Sequence, residues 1–291
     1  MTDAPIFGFT DAELAKQPTV FRSDLFRDRT VAVSGGGSGI GKAVAWLFGR
    51  LGANVVICGR NAERLEAAAA AMVAAGLNAQ AVVCNIRNPE HVAAFFDSIY
   101  SAHGALDLLV NNAGGQYQQP AIDFSVNGFN AVIDTNLNGT WLMMQAAAKR
   151  WRDASRPGSI VNIVAVVDRG MPGVAHTCAA RAGVIGLTRT VAIEWAPLEI
   201  RVNCVAPGAI ESQGLSTYTD EARAAFRRSN PMMRVGDAFD VAEACVYLGG
   251  PSGKFINGET LTVDGGGRMW GQFWGIPEPE YFKEPVGQDF K

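Results

Sequence analysis

The sequence predicts a single α/β domain in which helices flank a doubly wound, parallel sheet of about seven strands. The chain has 291 residues, of which 48% are hydrophobic and 18% charged, so it can bury one large core. Short runs rich in Val, Ile or Leu alternate with alanine-rich segments of helical pattern. Runs that are apolar on both faces are typical of parallel strands covered by helices on either side.

The predicted strands are the apolar runs, because each is short and dominated by Val, Ile or Leu. In chain order they are Thr30–Ser34, Asn54–Cys58, Ala81–Asn85, Leu106–Asn111, Ser159–Val166, Arg201–Val205 and Thr260–Val263. The segments between them are rich in alanine, the residue with the highest helix propensity. The predicted helices are Lys42–Leu51, Ala62–Ala75, His91–His103, Phe129–Arg152, Ala179–Trp195 and Val241–Leu248. Right-handed crossovers between the strands give the doubly wound arrangement.

The predicted core domain spans residues 28–267, between an N-terminal extension (1–27) and a C-terminal tail (268–291). The tail is aromatic, which implies burial against its own domain or a neighbouring subunit. Its aromatic residues are Trp270, Phe273, Trp274 and Tyr281. Residues 212–236 form a segment that is too long to be only a connecting loop in a compact domain. Their apolar side chains and arginines suit a lid over an acyl chain and the phosphates of CoA, and an amphipathic helix that only covers the core is the alternative.

Composition and charge argue against several classes of protein. A net charge of −3 gives no electrostatic basis for binding nucleic acid or an anionic membrane. The five cysteines are scattered, as is typical of free thiols in a reducing compartment, and the three histidines lack metal-ligand spacing. We see no secretory signal, no apolar run of membrane-spanning length and no peroxisomal signal at residues 289–291. We therefore expect a cytoplasmic protein without a metal.

A glycine-rich turn, Ser34 to Gly41, links the first predicted strand to the first predicted helix. Glycine permits a close approach of backbone N–H groups to a pyrophosphate at a helix N-terminus. The expected cofactor contacts of this turn are Gly35, Ser38, Gly39, Ile40 and Gly41. Arg60 stands after the second strand, where an NAD enzyme carries an acidic residue. With Ser38 it favours a 2′-phosphate, and hence NADP(H). The alternative is that Arg60 is a solvated residue of a first helical turn.

Several motifs resemble those of the short-chain dehydrogenase/reductase family. They are Gly35-x-x-x-Gly39-x-Gly41, Asn111-Asn112-Ala113-Gly114, Asn136 in its Thr135–Gly139 context, and Pro207-Gly208-Ala209-Ile210. The resemblance covers residues 30–267 and implies a Rossmann-like fold. It also implies further cofactor contacts from Asn85, Ile86, Asn112, Ala113, Gly114, Arg181, Pro207, Gly208 and Ile210. Asn136 resembles the helix asparagine that anchors the water of a proton relay.

The family's Tyr-x-x-x-Lys pair is replaced in this sequence by Thr177 and Arg181. A phenol has a pKa of about 10, whereas an aliphatic hydroxyl is a far weaker acid. Arginine stays protonated, so it holds charge but does not relay a proton as lysine does. The family's strand serine is also absent, because residues 164–167 are Val, Ala, Val and Val. Either the chemistry differs from ordinary carbonyl reduction, or the chain is a binding protein on an enzyme scaffold.

Longer stretches resemble peroxisomal trans-2-enoyl-CoA reductase and its bacterial relatives, a subgroup that also lacks the tyrosine. They are residues 84–88, 112–117, 176–184, 206–213 and 263–266. The resemblance implies NADPH-dependent reduction of the α,β double bond of an acyl-CoA or a related conjugated carbonyl compound. That reaction needs an oxyanion site first, and protonation at Cα can follow. Two alternatives are an NADP-dependent dehydrogenase of hydrophobic, terpenoid-type alcohols and a catalytically weak NADP(H)-binding pseudoenzyme.

Five residues are candidates for a catalytic role: Asn136, Thr177, Arg181, Tyr117 and His176. Thr177 can donate a hydrogen bond to a thioester oxygen, and Arg181 can bind the nicotinamide ribose. His176 has a suitable pKa for an acid, but a lone histidine beside a buried helix is more often structural. Tyr117 is either a replacement acid or an aromatic wall of the substrate pocket. The family resemblance also implies a homotetramer.

Overall fold

A computed structural model of the protein describes residues 7–271. Its strands are β1 (Thr30–Ser34), β2 (Asn54–Gly59), β3 (Ala79–Val83), β4 (Leu108–Asn111), β5 (Gly158–Ile163), β6 (Ile200–Pro207), β7 (Ile210–Glu211), β8 (Gly236–Asp237) and β9 (Thr260–Val263). Seven of the described strands form one parallel sheet in the order β3-β2-β1-β4-β5-β6-β9, and β7 pairs with β8. The predicted doubly wound α/β fold is therefore confirmed.

The helices begin and end at α1 (Asp11–Leu14), α2 (Gly39–Arg50), α3 (Ala62–Ala74), α4 (Pro89–His103), α5 (Val126–Ile133), α6 (Thr140–Asp153), α7 (Ala175–Glu194), α8 (Asp220–Phe226) and α9 (Ala238–Gly249). Side-chain caps fix several of the starts. Asn61 accepts a hydrogen bond from Arg64 N at the start of α3, and Asn88 accepts one from His91 N at the start of α4. Asp237 opens α9 with a reciprocal capping box.

The sheet separates two apolar clusters, because successive strand residues point to opposite faces. Along β1, Val31 and Val33 belong to the cluster that includes α2 and α9, whereas Ala32 belongs to the one that includes α4 and α6. All three side chains are fully buried. This two-sided burial explains why the strands are apolar throughout rather than alternating.

The predicted helix Phe129–Arg152 is wrong in one respect, because residues Asp134–Gly139 form a π-helical segment between α5 and α6. Asn136 lies in this segment, 1% exposed. Thr140 Oγ1 donates to the carbonyl of Asn136 at 2.9 Å, a side-chain bond that competes with the regular helical pattern. Interruptions of this type occur often at functional sites.

Most predicted boundaries move by a few residues in the structure, and three of these shifts affect the site. β3 lies two residues earlier than the predicted Ala81–Asn85, and β5 ends at Ile163 rather than Val166. The residues after Ile163 leave the sheet and line a cleft instead. α7 begins at Ala175 rather than Ala179, so Thr177 and Arg181 lie on the same helix one turn apart.

The predicted extension and tail are described in part. Within the extension, Leu14 and Phe26 are each 1% exposed and belong to the apolar cluster of α2 and α9. Phe273, Trp274 and Tyr281 of the predicted tail lie outside the described residues. Between β7 and β8, the predicted lid segment folds into a short 3₁₀ turn, Gln213–Thr217, followed by α8.

Within residues 7–271, no helix combines the length and the apolar character that crossing a membrane requires.

Candidate active site

A cleft of about 1470 Å³ lies at the carboxyl ends of the sheet strands, where doubly wound folds bind their ligands. Both predicted cofactor-binding residues and predicted catalytic residues line this cleft. They are Gly35, Ser38, Gly39, Ile40, Arg60, Asn85, Ile86, Asn112, Ala113, Gly114, Asn136, Thr177, Arg181, Pro207, Gly208 and Ile210. Gly41, Tyr117 and His176 lie behind this lining. The fold therefore gathers into one cleft residues that are as far apart in the sequence as Gly35 and Ile210.

Asn112 holds the glycine-rich turn from behind. Its Nδ2 atom donates to the carbonyls of Ser34 at 3.1 Å and Gly35 at 3.2 Å. An added Cβ at Gly41 would overlap with this amide, and one at Gly35 would lie 2.7 Å from it. Gly35 also has a φ of +68°, which side chains rarely permit. The glycines thus let the end of β4 pack directly against the turn.

The N-terminus of α2 opens onto the cleft. Ser38 is the residue before the helix, and its hydroxyl makes no capping hydrogen bond. The first backbone N–H groups of a helix lack intrahelical partners and attract anions. Arg60 and Arg64 line the same cleft. This combination fits the phosphate groups of a dinucleotide.

The remaining predicted cofactor contacts follow other strands. Asn85 and Ile86 follow β3, near the end of the sheet that carries Arg60. Pro207 ends β6 and Gly208 comes next. An added Cβ at Gly208 would lie 2.7 Å from Cβ of Asp264, so only glycine lets these two loops pack together.

Asn136 is fully committed to the loop that follows β4. Its Oδ1 atom accepts a hydrogen bond from Gly115 N at 2.9 Å, and its Nδ2 atom donates to the Gly115 carbonyl at 3.0 Å. Both polar atoms of the side chain therefore position the backbone of this loop. The π-helical segment places the asparagine where it can reach Gly115.

Thr177 and Arg181 lie together on α7 and face the cleft, with side chains mostly removed from solvent. Thr177 is 3% exposed and Arg181 is 8% exposed. An added Cβ at Gly114 would overlap with Nη2 of Arg181 and lie 3.0 Å from Oδ1 of Asn136. The guanidinium group is therefore packed against the glycine, in a position that Asn136 helps to define.

Arg181 is a buried cation without a carboxylate partner among residues 7–271. Burial lowers the pKa of its guanidinium to about 10, and a smaller opposing effect comes from Cys204. The group still carries its charge at neutral pH. Burying an unpaired charge is unfavourable, which makes this cation a site for an anionic or electron-rich ligand group.

His176 lies in an aromatic cluster behind the cleft. It is fully buried, with ring centroids 4.5 Å from Phe124 and 4.7 Å from Tyr117. Its Nδ1 atom accepts a hydrogen bond from Thr177 N at 2.7 Å and lies 3.3 Å from Thr177 Oγ1. Thr177 N also donates to the Val174 carbonyl at 2.9 Å, so the imidazole is a second acceptor for this N–H group and packs against the first turn of α7.

Burial lowers the pKa of His176 below its usual value, so the ring is neutral at neutral pH. Tyr117 turns toward the same cluster, because an added Cβ at Gly128 would overlap with the tyrosine hydroxyl. The structure therefore packs Tyr117 against His176 behind the lining of the cleft. Thr177 and Arg181, in contrast, line the cleft itself.

The loop after β5 carries no hydroxyl group at the position of the family's serine. Val164, Ala165 and Val166 line the cleft there. The opposite wall comes from the segment between β7 and β8, and Gln116 Nε2 donates a hydrogen bond to Tyr218 Oη across the cleft at 2.6 Å. Sequence reasoning missed this pairing, since nothing in the spacing of the two residues signals their contact.

Arg169, Arg228 and Arg268 also line the cleft. Arg228 belongs to the predicted lid segment 212–236, whereas no role was predicted for Arg169 or Arg268. Arg234, also in that segment, pairs with Asp240 at 3.5 Å. Within the described part of the chain, no group of His, Cys, Asp and Glu side chains forms a metal site.

The sequence is similar to those of known reductases. Residues 35–267 match the family model described as enoyl-(acyl carrier protein) reductase. A probable 2,4-dienoyl-CoA reductase of Bacillus subtilis is 37% identical over 243 residues, which cover 82% of this chain and 96% of that protein.

The chain is also similar to solved structures of dehydrogenases. A citronellol catabolism dehydrogenase of Pseudomonas aeruginosa is 39% identical with a TM-score of 0.77, over 86% of this chain and 99% of that one. A short chain dehydrogenase of Bacillus anthracis is 37% identical with a TM-score of 0.80, over 85% and 99% of the two chains. The chain therefore belongs to the short-chain dehydrogenase/reductase family of oxidoreductases, as its motifs predict.

Proposed function

We propose that the protein is an NADPH-dependent reductase of conjugated thioesters, acting on the α,β double bond of an enoyl thioester or on the conjugated diene of a 2,4-dienoyl thioester. The observation that carries this proposal is the buried, unpaired guanidinium of Arg181 beside Thr177 in a cleft without a phenol at that place. The Thr177 hydroxyl and the Arg181 guanidinium can stabilise an oxyanion, but neither group is the acid that carbonyl reduction requires. The similarity to a probable 2,4-dienoyl-CoA reductase supports the same substrate class.

The residues of the cleft stabilise negative charge on the substrate. A bound reduced nicotinamide would supply a hydride to Cβ of an enoyl thioester or to Cδ of a 2,4-dienoyl thioester, and the thioester oxygen would then carry negative charge. Thr177 donates a hydrogen bond to that oxygen, and Arg181 holds a fixed positive charge about one helical turn away. Asn136 keeps Gly114 and Gly115 in place, and so keeps the guanidinium in place. The alkyl part of the substrate contacts the apolar wall at Val164 and Val166.

Protonation at Cα then comes from water that enters the open cleft. A neutral His176, packed among aromatic rings, holds the start of α7 rather than giving a proton. Tyr117 packs beside it and has the same supporting role. Since protonation of an enolate follows hydride addition, it does not need a strong acid fixed in the site.

The decisive experiment is a substrate panel with the purified protein. With NADPH, enoyl-CoA and 2,4-dienoyl-CoA thioesters of increasing chain length are compared with ketones and aldehydes. With NADP⁺, hydrophobic alcohols are tested. We expect turnover of the conjugated thioesters and little turnover of the isolated carbonyls.

The second candidate is a dehydrogenase of hydrophobic alcohols, favoured by the 39% identity to a citronellol catabolism dehydrogenase. Turnover of alcohols alone in the same panel would establish this candidate and exclude the first. Tight NADPH binding without turnover of any substrate would instead identify a pseudoenzyme.

Replacing Arg60 should weaken NADPH binding selectively. Because the arginine is exposed on the cleft wall, solvent screens its contact with a 2′-phosphate, and we expect Arg60→Ala to weaken NADPH binding by about tenfold. Binding of NADH should not change. Fluorescence titration with both cofactors measures the effect, and equal affinity of the unmodified protein for NADH and NADPH would contradict the assignment.

Replacing Thr177 should slow turnover without affecting cofactor binding. Loss of one oxyanion donor in Thr177→Val predicts a kcat lower by about tenfold to a hundredfold, with an unchanged Kd for NADPH. Thr177→Ser keeps the hydroxyl and is the matched control. If Thr177→Val turns over as fast as the parent, the threonine has no part in the reaction.

The predicted homotetramer and cytoplasmic location belong to this proposal as well. Exposed apolar side chains support a subunit interface near α5 and α7, since Val126 is 75% and Ile193 79% exposed. Phe255, which is 99% exposed before β9, suits a second interface. Light scattering coupled to size-exclusion chromatography measures the assembly.

A further inference from the structure

One wall of the cleft comes from the segment between β7 and β8. Three of its lining side chains are large and apolar or aromatic, and we name them the lid wall: Leu215, Tyr218 and Phe226. Arg223 of α8 ties this wall together, because its Nη1 atom donates to the carbonyl of Leu215 at 3.4 Å and to that of Tyr218. Its Nη2 atom donates to the carboxylate of Asp220. One guanidinium therefore holds α8 against the turn that precedes it.

The same guanidinium lies over an aromatic ring from the N-terminal extension. Cζ of Arg223 is 5.0 Å from the centroid of the half-buried Phe7 ring, and the arginine side chain is 22% exposed. A cation is attracted to the face of a ring, most strongly where water is partly excluded. Next to Phe7, an added Cβ at Gly8 would lie 3.3 Å from Cα of Ser212. The extension therefore contacts the lid segment at its start and at α8.

The extension is itself fixed to the body of the domain. Phe9 packs edge-to-face on Phe239 of α9, with ring centroids 6.4 Å apart. Asp11 pairs with Lys42 of α2 at 2.5 Å. These contacts lie on two helices that pack on the central sheet, so residues 7–11 form a firm support. Phe7 is thus an anchored point on which the guanidinium can rest.

The lid wall has a second anchor on the other side of the cleft. Tyr218 Oη accepts the hydrogen bond from Gln116 Nε2 at 2.6 Å, and the tyrosine ring packs edge-to-face on Phe226 at 4.9 Å. Gln116 belongs to the loop after β4. The wall is therefore held on one side by this loop and on the other by Arg223 and the N-terminal extension.

We propose that Arg223, supported by Phe7, is a positioning residue that fixes the lid wall and thereby sets the affinity for the acyl chain. This inference rests on the proposed reduction of conjugated thioesters. Phe7 does not line the cleft, so it acts through the guanidinium. Arg60 and the start of α2 form the dinucleotide end of the cleft, and the affinity for NADPH is therefore independent of this support.

The test is a double-substitution cycle on the full chain. It consists of Arg223→Gln, Phe7→Ala and the combined variant. Phe7→Tyr keeps the aromatic face and is the conservative control. Val20→Ala is a control within the same extension, because Val20 is 87% exposed. Steady-state kinetics with NADPH and with hexenoyl-CoA and decenoyl-CoA separate the KM of each substrate from kcat.

We expect Arg223→Gln to raise the KM for the thioesters about fivefold to tenfold, and Phe7→Ala about threefold, because the second change removes only the cation–π contact. The combined variant should match Arg223→Gln, since residues that act through one another are not additive. The KM for NADPH should not change, and kcat should change less than the thioester KM. Phe7→Tyr and Val20→Ala should both match the parent.

Hydrogen exchange measured by mass spectrometry gives a second readout that needs no turnover. In the structure, Leu215 N donates to the Ser212 carbonyl at 2.9 Å, and Tyr218 N donates to the Leu215 carbonyl at 3.1 Å. These amides should exchange faster in Arg223→Gln and in Phe7→Ala, because the turn opens more often once its support is lost. The exchange rate in Val20→Ala should equal that of the parent.

Two kinetic results would overturn the assignment. One is an unchanged thioester KM in both single variants. The other is a combined variant in which the two effects multiply, which would show that Phe7 acts without Arg223. If no conjugated thioester is reduced, the proposed function fails, and hydrogen exchange alone decides whether the two residues hold the wall. Faster exchange in both single variants, with no further rise in the combined one, supports the positioning role. Unchanged exchange or a multiplied rise excludes it.

Discussion

Replacing Arg181 with methionine should nearly abolish turnover while making the protein more stable. The guanidinium is the buried positive charge beside Thr177, and loss of such a group typically lowers kcat by about a hundredfold to a thousandfold. Because the cation is 8% exposed and lacks a carboxylate partner in the described residues, an apolar side chain removes an unfavourable burial. We expect the free energy of unfolding to rise by about 1–3 kcal/mol. Steady-state kinetics and urea denaturation measure the two effects.

The pH dependence of turnover and of stability distinguishes the loss of a charge at Arg181 from a packing defect. Burial lowers the pKa of Arg181 to about 10, so the charge is present at neutral pH and is lost as the pH rises through that value. Turnover should therefore fall in that range. Above that pH, Arg181 is deprotonated in the folded protein but still protonated in the unfolded chain. The free energy of unfolding of the parent therefore rises with pH, and the difference in stability between Arg181→Met and the parent should become smaller.

Arg181→Lys is the control for this prediction, because it keeps a charge but not the shape of the guanidinium. We expect partial turnover and the same or lower stability. A fully active Arg181→Met protein would show that the cation has no part in the reaction.

Adding a single methyl group at Gly114 should have the next largest effect. The new Cβ would overlap with Nη2 of Arg181 and lie 3.0 Å from Oδ1 of Asn136. The guanidinium must move or the loop after β4 must shift, and a small displacement of a preorganised charge lowers kcat by about a hundredfold. The expected result for Gly114→Ala is a low kcat in a folded protein.

The neighbouring Gly115 provides the matched control. A Cβ at this position would meet nothing within 4 Å, and its backbone bonds to Asn136 do not depend on the side chain. Gly115→Ala should therefore keep both turnover and thermal stability close to those of the parent. Equal loss of activity in the two variants would mean that loop flexibility, rather than the position of Arg181, matters.

The fold could be predicted from the sequence because its signals are local. The two-sided apolar character of β1 and the glycine-rich turn before α2 depend on neighbouring residues alone. The boundaries were less accurate where tertiary contacts decide them. The π-helical segment contains Asn136, whose side chain hydrogen-bonds to Gly115, and this contact between distant parts of the sequence is visible only in the folded protein.

The site was predictable where residues share one helix. Thr177 and Arg181 are four residues apart, so a helix places them on one face. The mutual packing of Tyr117 and His176 could not be predicted, since they come from a loop and a helix that meet only in the folded protein. The places of Arg169 and Arg268 in the cleft could not be predicted for the same reason, because these residues follow β5 and β9, which are far apart in the sequence.

The division of the core by the sheet has a consequence for how substitutions combine. Val31 and Ala32 are neighbours in the chain, yet they pack into different apolar clusters. Residues without shared contacts usually contribute independently to stability, whereas residues of one cluster influence each other. Changes on the α2 and α9 side should therefore add simply to changes on the α4 and α6 side. The two sides of the molecule can accumulate different substitutions at different rates without disturbing the strand ends that hold the cleft.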